Sequence, residues 1–350
     1  MGQSEMSLCP WDGQSEEEED EEWLFSSIRE YSHLYMYTTN MRPISATMAL
    51  APDTRTLALG DKERGHLEVF RLPGKLMATS EEEEGLTSNR DFALVSGSLE
   101  CDSVTGVSYI RQDMIATTNS SQSVSLWAWK AGEDLLQWSG DLCTCDFKPE
   151  GLDVKRETVT VWGDGRVGRV SPGVRMVDSR AVNMGRDTVS GVTTSDSGHV
   201  SWIVDSGGHV TTIDWRTAES AKRVRLDEGS RGDVRSVVGV TGEDRVSVVT
   251  NTGAELSVWD LRDTKTAACH VMSPPGVTCD SPMILGRDKL MLGAGPRVCL
   301  LSLSDLSSKF EHRGHRSDVT GVMCQMCHHD SDIVISCDAR QGLHAWVPVL

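Results

Sequence analysis

The sequence predicts an all-β fold, a seven-bladed propeller with a short N-terminal helix and an N-terminal strand that closes the last blade. Three observations predict it: seven copies of one six-residue strand frame, a near-constant spacing between the copies, and too little chain after the last copy to finish its blade. The frame reads most clearly as Glu255-Leu-Ser-Val-Trp-Asp260, where apolar and polar residues alternate and a large residue stands fifth. It recurs at His66 to Arg71, Ser123 to Ala128, Arg166 to Ser171, His209 to Asp214, Arg297 to Ser302 and Gly342 to Val347. Alternation with period two is the pattern of a strand with one buried face.

The large residues are Phe70, Trp127, Val170, Ile213, Trp259, Leu301 and Trp346, at intervals of 57, 43, 43, 46, 42 and 45. A period of about 40 to 45 residues is that of a four-stranded propeller blade and is longer than those of ankyrin, tetratricopeptide or leucine-rich repeats. The one long interval contains the acidic run Glu81 to Glu84, read as an insertion over about 73–95.

A second apolar strand precedes the frame in most copies, as in Thr56 to Gly60, Ile115 to Thr118, Val246 to Thr250, Lys289 to Gly293 and Asp332 to Ser336. Upstream of these lie the candidate inner strands, three of which share the pattern Val-Thr/Ser-Gly-Val: Val104 to Val107, Val189 to Val192 and Val319 to Val322. Small residues suit the strand nearest the axis, where blades crowd, and glycine permits close backbone approach. Turn signals Gly163-Asp-Gly165, Ser206-Gly-Gly208 and Thr252-Gly253 fall between the second and third strands of their blades.

Only four residues follow Trp346, so the outermost strand of the last blade must come from elsewhere. Leu34 to Thr39 has the composition of a strand and precedes the first inner strand, around Ile44 to Leu50. Donated to the last blade, it would tie the two ends of the propeller together and cover a sheet edge. Residues 20–33 are read as the helix, because Leu24, Ile28, Tyr31 and Tyr35 recur at helical spacing and acids gather at its start. The helix packs on the side of the propeller or, through Trp23, Leu24 and Ile28, forms part of a protein-binding face.

Composition narrows the function classes. Hydrophobic residues make up 38% and charged residues 25% of the 350, enough for a sizeable core. No run approaches the roughly 20 apolar residues that cross a bilayer, and residues 1–22 lack the features of a signal peptide. A soluble intracellular protein with reduced cysteines is expected. The net charge of −18 is local: residues 1–22 hold nine acids and no lysine or arginine, and Glu81 to Glu84 add four. Residues 1–19 are accordingly read as a disordered acidic tail. The rest of the chain is a poor match for nucleic acid, and the basic cluster Lys222, Arg223, Arg225, Arg231 and Arg235 is broken by Asp227, Glu228 and Asp233.

No catalytic, cofactor or metal residues are expected. Cys324-Gln-Met-Cys327-His328-His329 has the order of a haem-attachment motif but no second ligand pair at zinc spacing, with only Cys337 and His344 as nearby candidates. His312 and His315 lie near Ser317 and Asp318 in sequence, which does not make a triad, and Gly163-Asp-Gly-Arg-Val-Gly168 joins two strands without opening a helix.

The last blade, at Gly314-His315, Ser336, Asp338 and Trp346, resembles the WD-repeat family, whose His, Ser, Asp and Trp form a buried hydrogen-bonded group. Trp259-Asp260 resembles the Trp-Asp pair of that family, and Trp127 the Trp of a third strand. Val347 stands where the family has Asp, and Val170 and Ile213 where it has Trp, so the full group is expected only in the last blade. A narrower resemblance, to one branch of the family, rests on Asp20 to Leu24 with Tyr31 and Tyr35, on Asn89 to Phe92, and on Phe310 to His315 with Leu343 to Trp346. It implies a non-catalytic cytoplasmic scaffold with a possible nuclear fraction. The partners it implies are the Integrator RNA-cleavage module or, alternatively, microtubules and spindle poles. It implies no cofactor, no direct nucleic acid and no membrane.

Overall fold

The computed structural model describes residues 31–39, 43–52, 55–61, 63–73, 91–99, 103–130, 133–171, 174–182, 188–195, 197–217, 222–226, 236–241, 246–251, 255–260, 269–272, 283–285, 289–326 and 332–348. Every regular element among them is a β-strand. The strands form seven four-stranded sheets, all antiparallel, in the arrangement of a β-propeller.

The first sheet runs Pro43–Leu50, Thr56–Asp61, His66–Arg71, Ala93–Leu99, and the second Val104–Arg111, Met114–Asn119, Ser123–Ala128, Gln137–Thr144. The third runs Gly151–Lys155, Thr158–Gly163, Arg166–Ser171, Val174–Ala181, and the fourth Val189–Thr194, Val200–Asp205, His209–Asp214, Lys222–Arg225. The fifth runs Ser236–Thr241, Val246–Asn251, Glu255–Asp260, Cys269–Met272, and the sixth Met283–Leu285, Lys289–Ala294, Arg297–Ser302, Ser308–His312. The seventh starts at Val319–Met326, Asp332–Asp338 and Gly342–Pro348 and takes its fourth strand, Tyr31–Thr38, from the other end of the chain. Each six-residue frame is the third strand of a sheet.

Neighbouring sheets touch chiefly through their first strands, which therefore line the axis: Pro43–Leu50 lies against both Val104–Arg111 and Val319–Met326. The three Val-Thr/Ser-Gly-Val segments share a feature beyond small size. The register shifts between Val104 and Gly106, between Val189 and Gly191 and between Val319 and Gly321, so each carries a β-bulge at its Thr or Ser. At Gly106 a Cβ would stand 3.3 Å from the Leu152 amide nitrogen of the next sheet, and at Gly321 only 2.8 Å from the Met48 methyl. Glycine is required there because adjacent inner strands approach across it.

The apolar cores lie between sheets. Leu57, Leu59 and Phe70 of the first sheet pack with Ile333, Ile335, Leu343 and Ala345 of the seventh. Trp259 of the fifth is buried against Val204, Val210 and Leu226, in and beside the fourth sheet. Cys143, Cys145, Cys299 and Cys337 are free thiols and buried, and burial pushes the Cys337 thiol up to about 12.

The donated strand differs from its predicted bounds. Residues 31–33, read above as the end of the helix, are strand, with Tyr31 opposite Pro348 and Leu34 opposite Trp346. A register shift between Tyr31 and His33 places Tyr31 and Leu34, three apart, in one core cluster, while Tyr35 and Tyr37 pack into the neighbouring one. Tyr31 and Tyr35, four apart in the helical reading, therefore belong to different core clusters and share no helix face. The predicted insertion also ends earlier than 95, because Ala93–Leu99 is strand. Residues 1–30, with the acidic tail and Trp23, Leu24 and Ile28, lie outside the described residues, as do Glu81–Glu84.

Candidate functional site

A dense group of buried polar side chains lies where Tyr31–Thr38 meets Gly342–Pro348. Asp332–Asp338 supplies Ser336 and Asp338, Gly342–Pro348 supplies His344 and Trp346, and the segment before Val319 supplies His315. The Trp346 indole N–H donates to Ser336 Oγ at 3.2 Å. Ser336 Oγ lies 2.7 Å from His315 Nε2, and His315 Nδ1 lies 3.0 Å from Asp338 Oδ2. A carboxylate only accepts, so His315 donates from Nδ1; with the imidazole neutral, its Nε2 accepts from Ser336 Oγ, which accepts in turn from the indole. The four residues expected to form one group are brought together.

Asp338 closes a second set of bonds. Its Oδ1 accepts the amides of Arg340 at 2.8 Å and Gly342 at 2.9 Å, capping the turn between the second and third strands. Burial works against its charge, but the bonds from His315 and from these amides outweigh it and hold the carboxyl well below the usual range. Any side chain at position 342 would collide with the Asp338 carboxylate.

A parallel chain runs beside the first. Tyr31 Oη lies 2.7 Å from His312 Nδ1, and His312 Nε2 lies 2.9 Å from His344 Nδ1. Tyr31 comes from the donated strand, His312 from the edge of the sixth sheet and His344 from the seventh, so this chain joins three separate parts of the polypeptide. The His312 ring stacks on Trp346 with centroids 4.8 Å apart, and His315 stacks on His344 at 3.9 Å and 7°. Burial, with the charges of neighbouring imidazoles, pushes His312 down to about 2 and His344 down to about 3. Both rings are neutral at ordinary pH.

Two chemical readings of this cluster can be tested on its geometry. Asp338, His315 and Ser336 have the connectivity of a hydrolase triad, but Ser336 is 0% exposed and its Oγ is capped by the indole, leaving no face for a substrate. The nitrogens of His312, His315 and His344 lie within 4.8 Å of one another, close enough for a metal. A metal sits in the plane of each imidazole that binds it, and two rings stacked face to face have no common point in both planes. As arranged, the cluster is a hydrogen-bonded core.

The other predicted residues take separate places. Trp127 is buried and donates its indole N–H to Thr117 Oγ1 at 3.0 Å in the second sheet. Trp259 is buried, and Asp260 ends its strand. The fourth sheet also has an indole bond. The donor there is Trp215, two positions after Ile213, and the acceptor is Ser201 Oγ at 2.8 Å. Cys324 lies on the innermost strand of the seventh sheet, and Cys327 to His329 are outside the described residues. Arg223, on the outer edge of the fourth sheet, pairs with buried Asp205 at 2.6 Å. His315 bonds Ser336 and Asp338 rather than Ser317 or Asp318.

Sequence reasoning missed a recurring cap. At the end of the second strand, Asp61 accepts the amides of Glu63 and Arg64, Asn119 those of Ser121 and Ser123, and Asp205 that of His209, as Asp338 does in the seventh sheet. The signal was available: an Asp or Asn stands four or five residues before the start of the third strand in each.

Searches against protein-family models and against curated proteins return no match for this chain. The β-propeller arrangement is one that protein-interaction scaffolds use, and the fold alone carries no chemistry.

Proposed function

We propose that the seven sheets are the blades of one closed WD-type ring and that the chain is a non-catalytic scaffold on which other proteins assemble. The observation that carries this reading is the Trp346–Ser336–His315–Asp338 chain, because its four residue types are those of the WD-repeat pattern and it is spent on rigidity in a sealed core. A rigid ring with two faces and a rim presents loops without deforming, which suits recognition.

The more specific reading rests on resemblance to WD repeat-containing protein 73, carried by Tyr31, Tyr35 and the Phe310 to His315 segment. On it, the chain is a cytoplasmic assembly factor or adaptor for the Integrator RNA-cleavage module, with Trp23, Leu24 and Ile28 as candidate contacts. The second reading from the same resemblance is a regulator at microtubules and spindle poles. Affinity capture of the full chain from dividing cells, followed by mass spectrometry, separates the two. Stoichiometric recovery of Integrator cleavage subunits supports the first, and tubulin or centrosomal proteins without them support the second. Recovery of no protein above background would sink the scaffold reading itself.

A further inference from the structure

Four large hydrophobic side chains are conspicuously exposed among the described residues: Met36, Leu94, Leu135 and Trp138. Leu94, 56% exposed, and Leu135, 70% exposed, line one groove on the rim between the first and second sheets. Trp138, 61% exposed, follows three residues after Leu135. One wall of the groove is Ala93–Leu99, the outermost strand of the first sheet. Its Gly97 forms an isolated parallel bridge to Leu135: the Gly97 amide donates to Asp134 O at 3.2 Å, and the Leu136 amide donates to Gly97 O at 3.1 Å. This sheet edge already accepts an extended segment at one position.

Two polar groups in the groove point to an occupant. Ser96 is 1% exposed, lines the groove, and its Oγ finds no hydrogen-bond partner among the described residues. A buried hydroxyl left unpaired is destabilising relative to one that is satisfied. Glu68 also lines the groove and is half-buried, with no ion pair among the described residues, and burial raises its carboxyl above the usual range. Asp134 adds a second acid at the rim. The groove thus combines two exposed leucines, an acid beside His66 that no lysine or arginine among the described residues pairs, and a strand edge.

We infer that this groove binds a short extended segment of a partner protein that carries leucine-type side chains beside a lysine or arginine. The inference deepens the scaffold reading and rests on it. The leucines take the apolar side chains, Glu68 and Asp134 take the cation, and the outer edge of Ala93–Leu99 bonds the segment's backbone. Side chains two apart on a strand share a face, so one extended segment can present the cation and both apolar groups to the groove.

The test uses the full chain and a fluorescein-labelled, blocked decapeptide, Ser-Gly-Lys-Ser-Leu-Ser-Leu-Ser-Gly-Ser, against a control with Glu in place of Lys, read by anisotropy. The lysine peptide is expected to bind at least about tenfold more tightly than the control, and Leu135→Asp to weaken it by about tenfold or more. Glu68→Lys is expected to invert the preference between the two peptides. Leu135 is exposed, so Leu135→Asp should leave the melting temperature unchanged, which separates loss of binding from loss of fold. Equal binding of the two peptides, no binding of either, or binding unaffected by Leu135→Asp overturns the inference. So does a dimer, seen by sedimentation, that Leu135→Asp dissociates, because the occupant is then a second copy. If Leu135→Asp still captures the wild-type set of cellular partners, the groove is wrong and the scaffold reading stands; if the wild type captures none, the scaffold reading falls.

Discussion

The sixth and seventh sheets adjoin one another and solve the same packing problem with opposite chemistry. In the sixth, the central strands are closed by Leu290, Leu292, Leu300 and Leu301, all buried, and the turn between them is the two residues Gly295 and Pro296, with Gly295 at φ 59°. Glycine at the first position of a two-residue turn fixes the hairpin register locally, so apolar side chains suffice behind it. In the seventh, the equivalent turn has three residues, Ala339 to Gln341, and the outer strand comes from the far end of the chain. Register there is fixed by directional bonds: Asp338 caps the turn, and Tyr31 ties the incoming strand to His312. A slip of two residues keeps the same faces buried and is resisted weakly by apolar contacts, whereas hydrogen bonds of fixed geometry do not survive it.

The contrast can be broken in four places. Removing the common centre of the seventh sheet should do most: Trp346 is fully buried and touches both hydrogen-bonded chains, so Trp346→Ala is expected to cost about 4 kcal/mol in urea unfolding. A cost no greater than that of Leu292→Met, under about 1.5 kcal/mol, would erase the distinction between the sheets.

Acid comes next. The unfolded chain protonates His312 and His344 near pH 6.5, whereas burial and neighbouring imidazoles keep them neutral in the fold down to about 2 and 3. Falling pH therefore favours the unfolded state from about 6.5 downward, by about 1.4 kcal/mol per pH unit for each ring, and rising pH above 6.5 has no effect through them. A loss of roughly 4 kcal/mol between pH 7 and pH 5 is expected from chemical denaturation, and His312→Asn should flatten that slope. An unchanged slope in the variant would mean that the imidazoles are not the source.

Asp338→Asn keeps the shape of the side chain and removes the charge that accepts from His315 and two amides; a cost of about 2 kcal/mol is expected from thermal unfolding. Smallest is Tyr31→Phe, at about 1 kcal/mol. Its signature is local: hydrogen exchange should accelerate in Tyr31–Thr38 and not in Lys289–Ala294. Uniform acceleration across both strands would show that the phenol supports the whole ring and not the joint.

What the sequence made legible follows the same division. The repeated frame located the third strand of every sheet, because alternation and a large fifth residue are local properties of a strand with one buried face. The donated strand was legible through the missing fourth strand of the last sheet and the strand-like composition of Leu34 to Thr39. Its first residues were misread because Tyr31 and Tyr35 stand four apart, a helical spacing, although the register shift at Tyr31 to His33 sends them to different core clusters. His315, Ser336, Asp338 and Trp346 were found by family pattern, and the geometry joins them. The second chain left no trace, because Tyr31 and His312 are 281 residues apart and no local pattern couples them. The rim groove was equally silent: Leu94 and Leu135 look like any strand leucine until burial separates them from Leu57 or Leu67.

The split origin of the seventh sheet also has a consequence in time. Tyr31–Thr38 leaves the ribosome roughly 300 residues before Gly342–Pro348, which at about 5–20 residues per second is an interval of roughly 15 to 60 seconds. Throughout it, the six sheets that are sequence-local can form in order behind a strand that has no partner. The phenol of Tyr31 and the edge amides of its strand wait in water, open to any other extended chain. The newborn chain thus carries an unpaired, sticky strand until Gly342–Pro348 emerges to receive it.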